Sequence, residues 1–425
     1  MNRQRQWASI GFALAYAALA GASMLRRDTL NLSTLFWPPA GLLLAALMLD
    51  APRRWPAWMA LAASLHIVTG IVVGQRSFPV AAVFALADLL FCAAVAAACR
   101  PRTHGAAEPA SLPATLRFIG VLALCSVAGG ILTAFILRAI GQASSPTHWY
   151  VWSLAAFVGC IIATPLVMAG SRLGWRALAE QSVARLWFGL LAAFAMLGGT
   201  TIVFNDPARA AGRFVWHDGF GMSYGPLLFL AIVALCWGPA GSALTVAGLA
   251  LVAGSYTLSG MGPYANIAHF SGQPLLAVQG YLGCAAILSL IIGALAADRE
   301  RALQRAAALT SQLESALRVS GQVAWEFRRA GSTLHWLGEL PHGIASGRAV
   351  VPLDDWLSRV HPDEQERLRV WLHTGADSYA LRRLRFRVLG NDGRYHEMEL
   401  SGSARHGVPD RMTGLLGTPR EELPF

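Results

Sequence analysis

The chain has 425 residues, enough for two or three domains, and 55% of them are hydrophobic. Its formal net charge of +10 comes from arginine, because the sequence contains no lysine. Residues 1–297 hold 16 arginines against 7 acids, whereas residues 298–425 hold 18 arginines against 17 acids. The second part is nearly neutral, so the basic balance does not indicate nucleic-acid binding.

Residues 1–297 form one long apolar run after another, each close to the ~20 residues that cross the core of a bilayer. This pattern predicts a polytopic α-helical membrane domain with eight to ten transmembrane helices. Three of the runs are short, so eight spans with tilted or re-entrant pieces are the alternative to ten. The candidate spans are residues 8–25, 34–49, 55–73, 78–99, 118–140, 150–170, 186–204, 223–238, 240–259 and 274–297.

The positions of the arginines predict the orientation of this domain. Either count of spans is even, which puts both termini on the same side of the membrane. If the N-terminus is cytoplasmic, the cytoplasmic segments up to Arg305 hold thirteen arginines and the opposite segments hold six. Positive charge is enriched in short cytoplasmic loops, so both termini and the soluble part are expected in the cytoplasm.

Asp88 is the one acid deep inside a strongly apolar run. A charge at this depth is costly, so the side chain either contacts a ligand or a cation, or it is held by a neighbouring helix for packing. Pro165 and Pro226 are expected to kink their helices. The six cysteines lie in apolar runs without metal-ligand spacing, so packing is their expected role and no metal site is predicted.

Two groups of aromatic residues stand at the ends of apolar runs. In the first, Trp37 precedes Pro38 and Pro39, and prolines at membrane depth free backbone carbonyls that can line a pocket. The second contains Trp149 and Trp152 in the sixth run. Both groups are candidate ligand-binding residues, in addition to the buried acid. Interfacial anchoring by tryptophan and kinking by proline is the competing explanation.

Residues 298–320 combine strong helix formers without a glycine or a proline. A weak heptad pattern runs through Leu303, Thr310 and Leu317, with an apolar or small residue three positions later in each repeat. The pattern favours a homodimer through this helix and the domain that follows it. Fewer than three heptads are present, so a simple amphipathic linker helix is the alternative.

From Gly321 onward the pattern changes to short strands and short helices. The sequence Asn391-Asp392-Gly393 predicts a hairpin turn, because asparagine and glycine tolerate positive φ. The order of two strands, helices and three strands predicts an α+β domain of about a hundred residues. The strands are predicted at residues 323–328, 333–337, 381–389, 394–401 and 411–416, and the helices at 353–360 and 364–374.

Four stretches of the apolar part form a recognisable set: LFWPPAGLLLAALML (Leu35–Leu49), RRWPAWMALAASL (Arg53–Leu65), WYVWSLAAFVGCIIATPL (Trp149–Leu166) and YGPLLFLAIVALCWGPAGSALTV (Tyr224–Val246). Through them residues 7–297 resemble MASE1, a membrane-associated sensor domain of bacterial signalling proteins. The sixth span of that family usually reads Trp-Trp and then Gly-Asp, whereas here Ser153 and Ala155-Ala156 stand in those places. The resemblance implies a multi-pass protein in the lipids of the bacterial inner membrane.

Three stretches of the second part form another recognisable set: Trp325-Glu326, WLSRVHPDE (Trp356–Glu364) and LRFRVLGNDGRYHEMEL (Leu384–Leu400). Through them residues 321–418 resemble a PAS domain of the subtype found in bacterial sensor kinases and cyclic-dinucleotide enzymes. The resemblance implies a cytoplasmic α+β PAS domain with an internal pocket, for which Trp325, Trp336 and Phe386 are the candidate lining residues.

The cofactor of the PAS-like domain is left unknown by the sequence. No cysteine follows Cys284, so a flavin–cysteinyl adduct is excluded. His373 lies on the helix that carries the iron ligand in haem-binding PAS domains. One histidine on a polar helix is usually a surface residue, so haem is not expected.

No catalytic motif is present: the sequence has no glycine-rich phosphate loop, no kinase-type ATP motif, and no Gly-Gly-Asp-Glu-Phe or Glu-Ala-Leu signature. The chain is therefore not expected to be an enzyme. The predicted organisation is a membrane sensor domain, a linker helix, a PAS-like domain and a tail, at residues 1–297, 298–320, 321–418 and 419–425.

The leading hypothesis is a membrane receptor that senses a cue and relays it through the PAS-like domain to a separate output protein, a kinase or a cyclic-dinucleotide enzyme. Two alternatives remain. The chain could be the input half of a truncated diguanylate cyclase or histidine kinase. It could also be a transporter or channel with a regulatory PAS-like domain, although paired charged residues near the midplane are scarce.

Overall fold

In the computed structural model the described residues are 3–25, 34–100, 111–142, 147–171, 181–205, 222–265, 273–337, 350–375, 380–404 and 410–419. The chain divides into two compact units, Met1–Arg301 and Ala302–Phe425. Residues 420–425 of the predicted tail lie outside the described residues. So do several arginines on which the predicted orientation depends, namely Arg26, Arg27, Arg102, Arg172, Arg176, Arg209 and Arg213.

The described part of the first unit is built from helices. Eight of them are long and apolar enough to cross a membrane, and α2 is a shorter apolar helix of 12 residues. The predicted polytopic α-helical membrane domain is therefore confirmed. The helices are α1 (Arg3–Met24), α2 (Pro38–Leu49), α3 (Trp55–Val72), α4 (Phe78–Cys99), α5 (Leu112–Ala139), α6 (His148–Ser171), α7 (Val183–Phe204), α8 (Gly225–Leu258) and α9 (Gln273–Val319).

Helix α2 begins four residues later than the predicted span because two prolines follow Trp37. A residue before proline avoids the helical region, and Trp37 has φ −119° and ψ 74°. Pro38 and Pro39 occupy the first turn of α2, where a backbone N–H is not needed. The N–H of Trp37 donates instead to the carbonyl of Ala155 on α6, at 3.0 Å. This bond fixes the extended segment 34–37 beside α6.

Helices α2 and α6 approach each other at glycines. A Cβ atom on Gly159 would lie 2.3 Å from the carbonyl oxygen of Trp37. A Cβ atom on Gly41 would lie 2.7 Å from Cβ of Ala163. Thr164 Oγ1 donates to the carbonyl of Gly41 at 3.1 Å. Small residues of this kind let helix backbones come close inside a membrane, and here they hold Trp37 at a fixed position on α6.

Helix α8 is a helical hairpin and not a straight rod. Gly238 has φ 64° and ψ −158°, a conformation open essentially to glycine alone, and Pro239 follows it. Ser223 Oγ and Tyr264 Oη, which flank opposite ends of the helix, lie 2.8 Å apart. A straight helix of 34 residues would separate them by about 50 Å. The two arms are residues 225–237 and 239–258, in agreement with the eighth and ninth predicted spans.

One of the two proline expectations is wrong. Pro226 lies in the first turn of α8, where proline is well tolerated, so it starts the helix and does not kink it. Pro165 lies inside α6. The sharp bend in α8 occurs at Gly238 because glycine alone adopts the backbone conformation of the turn.

Helix α9 continues unbroken from Gln273 to Val319. The sequence predicts a span and then a linker helix, and the structure joins the two because no glycine or proline lies between Gly293 and Gly321. Gly321, with φ 64°, follows the end of the helix. In the linker part Leu303 and Leu313 are exposed.

The described part of the second unit is an antiparallel sheet of six strands, in the order β3-β2-β1-β6-β5-β4, with short helices between β3 and β4. The predicted PAS-like α+β domain is therefore confirmed. The sheet also contains a strand of three residues, β3, that the sequence analysis missed. The elements are β1 (Gln322–Arg328), β2 (Thr333–Leu337), β3 (Val350–Pro352), α10 (Leu353–Leu357), α11 (Gln365–Gly375), β4 (Arg382–Leu389), β5 (Tyr395–Ala404) and β6 (Arg411–Gly417).

Side chains alternate along these strands, so that one face of the sheet covers the core of the second unit. In β1 the buried residues are Val323, Trp325 and Phe327, each separated by a less buried one. The predicted hairpin turn joins β4 and β5, and Gly393 in this turn has φ 74°. This regular pattern is what the sequence analysis relied on.

Candidate functional site

Helices α3 and α4 bring two polar residues together inside the apolar bundle. A short turn of residues 73–77 joins the helices. His66 lies six residues before the end of α3 and Asp88 ten residues after the start of α4, and the packing of the two helices brings their side chains into contact. His66 Nδ1 is 3.1 Å from Asp88 Oδ2, and each residue is 3% exposed. With Nδ1–H as the donor to the carboxylate, Nε2 is left for a further contact.

Trp37 completes this pair from the segment before α2. Its indole N–H donates to Asp88 Oδ2 at 2.6 Å, and its ring centroid lies 5.1 Å from that of His66. A buried carboxylate needs such donors to offset its lost hydration. The hydroxyl oxygen of Tyr16, on α1, lies 3.4 Å from His66 Nδ1. We refer to Tyr16, Trp37, His66 and Asp88 as the polar cluster.

A cavity of about 30 Å³ lies against the polar cluster. The guanidinium group of Arg76, in the turn between α3 and α4, lies 4.2 Å from the ring centroid of Phe84, one helical turn before Asp88. The cavity wall therefore combines a cation, an acid, a histidine and three aromatic rings. The lining residues are Trp37, His66 and Asp88 of the polar cluster, Thr34, Arg76 and Phe84, and Trp152, Ala155 and Ala156 of α6.

The second ring nitrogen of His66 has no hydrogen-bond partner among the described residues. Nε2 is buried and makes no hydrogen bond to any residue in the part of the chain that the structure describes. Buried polar atoms in proteins are nearly always hydrogen-bonded, and an exception indicates an ordered water, an ion or a functional role. Because His66 also lines the cavity, this nitrogen identifies the cavity as the candidate binding site.

Helix α9 is bonded to the segment that carries Trp37. Gln279 Nε2 donates to the carbonyl of Leu35 at 2.7 Å and lies 3.4 Å from the carbonyl oxygen of Thr34. The Gln279 side chain is fully buried. A displacement of Trp37 would therefore reach α9 through Leu35, whose carbonyl accepts the hydrogen bond from Gln279.

Three of the six residues predicted for the membrane site come together at the cavity, and they are Trp37, Asp88 and Trp152. Pro38 and Pro39 form the first turn of α2 and hold Trp37 in its extended conformation. Trp149 lies apart from the cavity lining, is 40% exposed and packs on Tyr150. A ligand-binding role for these residues stays a prediction.

Ala155 and Ala156 also line this cavity. They stand where the resemblance to MASE1 expects Gly-Asp, so the departure from the family pattern changes the wall of the candidate site. The chain has apolar methyl groups here in place of a second acid.

His66 and Arg76 were not predicted from the sequence as site residues. His66 is a histidine within an apolar run, which is itself a sign of function. The signal that could have found the pair is the presence of a histidine and an aspartate in two consecutive apolar runs that a short turn joins. Arg76 was counted only as a loop charge, because nothing local indicates that it folds back over Phe84.

Trp325, Trp336 and Phe386 lie together in the core of the second unit. Trp325 and Trp336 pair across β1 and β2, and all three side chains are at most 6% exposed. The ring of Trp325 packs on Trp371 at 6.0 Å, and the ring of Trp336 packs on Trp356 at 4.8 Å. These residues form part of a close-packed aromatic core. Their role in lining a pocket stays a prediction.

A second aspartate of the membrane domain has similar neighbours in a more open place. Asp50 lies between α2 and α3 and accepts hydrogen bonds from the Trp58 indole at 3.0 Å, the Ala51 N–H at 2.7 Å and the Arg54 guanidinium at 3.1 Å. Burial opposes its ionisation, but these donors outweigh burial and hold the pKa of Asp50 below its usual value. This group stabilises the turn before α3.

An apolar bundle of helices that buries a polar cluster, followed by an α+β domain, defines a multi-pass membrane protein with a second, soluble-type domain. The chain belongs to the MASE1 family, a membrane sensory domain of signalling proteins, because the model of that family matches residues 7–300. The first unit is therefore a membrane sensor domain.

One of the solved structures similar to this chain is a sensory box histidine kinase/response regulator from Burkholderia thailandensis E264, at 16% identity and a TM-score of 0.21, and the likeness covers 25% of this chain and 82% of the other. None of the curated proteins matches this chain.

Proposed function

We propose that the chain is a membrane-bound signal-transduction receptor. In this proposal a cue acts at the cavity beside the polar cluster, and α9 relays it to the PAS-like domain. The observation that supports the proposal most directly is the hydrogen bond from Gln279 to Leu35. Leu35 lies two residues before Trp37, and Gln279 lies on the helix that continues to Val319. A cue that displaces Trp37 therefore has a bonded path to the linker.

The proposed location is the bacterial inner membrane, with both termini in the cytoplasm. The two arms of α8 and the short helix α2 bring the apolar helical segments of the described residues to ten, an even number. The excess of arginine in the segments that would face the cytoplasm supports this orientation.

The proposed output is indirect. We infer a homodimer through residues 298–320 and the PAS-like domain, supported by the exposure of Leu303 and Leu313 on the linker part of α9. The chain itself is proposed to have no catalytic activity, and a separate kinase or cyclic-dinucleotide enzyme would read its state.

Cysteine cross-linking of the full chain in lipid nanodiscs tests this proposal. The six native cysteines are replaced by alanine, and Leu313→Cys provides one thiol on the linker. A disulfide-linked dimer is expected, and its rate of formation is expected to change when Asp88→Asn alters the polar cluster. The change follows because Asp88 holds Trp37, which is two residues from the carbonyl bonded to α9.

Two matched controls belong to this experiment. Gln312→Cys puts the thiol on another face of the same helix and is expected to cross-link poorly. Asp50→Asn neutralises the other aspartate that is paired with a tryptophan, outside the cavity, and is expected to leave the rate unchanged. Equal rates with and without Asp88→Asn would contradict the relay.

A further inference from the structure

We propose that the cavity beside the polar cluster binds one small monocarboxylate together with one proton. The proton is taken by Nε2 of His66, and the carboxylate lies beside the guanidinium group of Arg76. The identification of this ion pair as the cue of the receptor rests on the proposed function, whereas the binding itself does not.

The size of the cavity limits what can enter it. It measures about 30 Å³, and one ordered water needs roughly 10–15 Å³ of such space. Two or three water-sized groups therefore fit, which is the size of a carboxylate group. A larger organic ligand does not fit between the rings of Trp37, Phe84 and Trp152.

The charges around the cavity favour an anion over a metal ion. Arg76 brings a permanent positive charge to the wall and would repel a cation. Among the described residues no three side chains of His, Cys, Asp or Glu come together as a metal site. Asp88, the one acid in the wall, already receives the Trp37 indole and His66 on the same oxygen. Planar carboxylates are the anions whose shape the guanidinium fork matches.

The proton has a specific acceptor. In neutral His66, Nδ1–H donates to Asp88 and Nε2 carries the free lone pair, which no described residue uses. When an undissociated acid enters the cavity, its O–H bond breaks and an N–H bond forms at Nε2. The resulting imidazolium is stabilised by Asp88, and the carboxylate is stabilised by Arg76. No other reactant is needed.

The net charge explains why proton and anion bind together. A carboxylate alone would add a negative charge to an apolar bundle, and a proton alone would add a positive one, and each is costly. Binding of the pair leaves the net charge of the cavity unchanged.

The other titratable side chains around the pair are few among the described residues. Tyr16 of α1 lies against His66, and Cys92 of α4 and Cys160 of α6 lie near Tyr16 and Asp88. Phenols and thiols are ordinarily neutral between about pH 5 and pH 8. The ring centroid of His148, on α6, lies 5.8 Å from that of Phe84, and the two rings are tilted by 59°.

Calorimetric titration of the full chain in nanodiscs with sodium formate tests the inference. Titrations in two buffers of different ionisation enthalpy count the protons taken up. We expect one formate and one proton per chain, and an apparent affinity for formate that falls about tenfold for each pH unit wherever binding takes up one proton. Saturable binding without proton uptake, or no binding between about pH 5 and pH 8, would overturn the proposal.

Single substitutions test which side chain binds the carboxylate and which side chain takes up the proton. Arg76→Gln is expected to weaken formate binding about tenfold to a hundredfold, the range for loss of a charged hydrogen bond. His66→Asn is expected to abolish the proton uptake. Asp50→Asn and His148→Asn are expected to change neither. Formate binding that survives Arg76→Gln unchanged, or chloride binding as tight as formate binding, would contradict the carboxylate assignment.

The cross-linking experiment distinguishes this inference from the proposed function. Formate is added to the cysteine-free chain that carries Leu313→Cys, and the rate of disulfide formation is measured with and without it. If formate binds with its proton and the rate is unchanged, the site stands and its role as the cue fails. If Asp88→Asn changes the rate and formate does not bind, the relay stands and the monocarboxylate site fails.

Discussion

Two aspartates of the membrane domain accept a hydrogen bond from a tryptophan and pair with a basic side chain, yet they differ in what the pair can do. The Asp88 side chain is 4% exposed and pairs with His66, whereas the Asp50 side chain is 24% exposed and pairs with Arg54. Arginine stays charged at every physiological pH, and histidine does not. The first arrangement can therefore change its charge, and the second is fixed.

Burial determines the cost of that change. At the Asp50 site, water solvates whatever charge is left over, so the pair contributes only to local stability. At the Asp88 site an extra charge has no solvent and must be matched by another ion. The difference indicates why a receptor would keep a histidine–aspartate pair in the bundle and an arginine–aspartate pair at its edge.

Removing each carboxylate is the strongest way to test this comparison. Asp88→Ala leaves the Trp37 indole and His66 buried without their acceptor and is expected to lower the free energy of unfolding by about 3–5 kcal/mol. Asp50→Ala is expected to cost about 1 kcal/mol or less. Unfolding of the full chain in mixed detergent micelles measures both. Equal losses of unfolding free energy would contradict the conclusion that burial makes the Asp88 carboxylate more important for stability than the Asp50 carboxylate.

Removing only the indole donor sharpens the same comparison. Trp37→Phe keeps the ring and deletes the hydrogen bond to Asp88, with an expected loss of about 1.5–3 kcal/mol for a bond to a charged group. Trp58→Phe deletes the matching bond to Asp50 and is expected to cost under about 1 kcal/mol. The same unfolding titration applies. A larger loss of unfolding free energy from Trp58→Phe than from Trp37→Phe would contradict the conclusion that the hydrogen bond to Asp88 is the more stabilising of the two.

The glycine that positions Trp37 offers a test without a change of charge. Gly159→Ala forces a Cβ atom to within 2.3 Å of the Trp37 carbonyl oxygen and is expected to cost about 1–3 kcal/mol through overpacking. Gly198→Ala is the control, because a Cβ atom there meets no atom within 4 Å. Alanine suits a helix better than glycine, so the control is expected to be neutral or stabilising by about 0.5–1 kcal/mol.

The smallest predicted effect is the pH dependence of the stability that Asp50 contributes. Because the pKa of Asp50 is lowered, its stabilisation is present above the usual carboxyl pKa and is lost as the pH falls through the lowered value. Asp50→Asn should therefore cost the same amount, under about 1 kcal/mol, at every pH between about 5 and 8. Unfolding titrations of both proteins across this range provide the check. A cost that grows or vanishes near neutral pH would tie Asp50 to a histidine.

Much of the fold could be predicted because it depends on local patterns. Apolar runs near the length of a bilayer predicted the helices, and alternation with the Asn391-Asp392-Gly393 turn predicted β4 and β5. The reversal at Gly238 was also predictable, since the short runs on each side of it were read as separate spans. The short strand β3 was not, because three residues carry no periodicity.

The candidate site was predicted only in part, for a physical reason. Asp88 and Trp37 are each unusual in their own segment, and the sequence analysis singled them out. Their contact joins residues 51 positions apart in the chain, and so does not follow from any local pattern. Arg76 enters the cavity by stacking on Phe84, a side-chain conformation that only the packed helices determine.

The hairpin in α8 has a consequence for how the chain enters the membrane during its synthesis. Its first arm, residues 225–237, has a helical length of about 20 Å, against about 30 Å for the hydrocarbon core. Such a segment is a poor substrate for insertion by itself, whereas the second arm, residues 239–258, is long enough. The two arms are therefore expected to leave the translocation machinery as a pair, with the turn at Gly238 already formed. Assembly of this part of the bundle would then wait until the ribosome has completed Leu258.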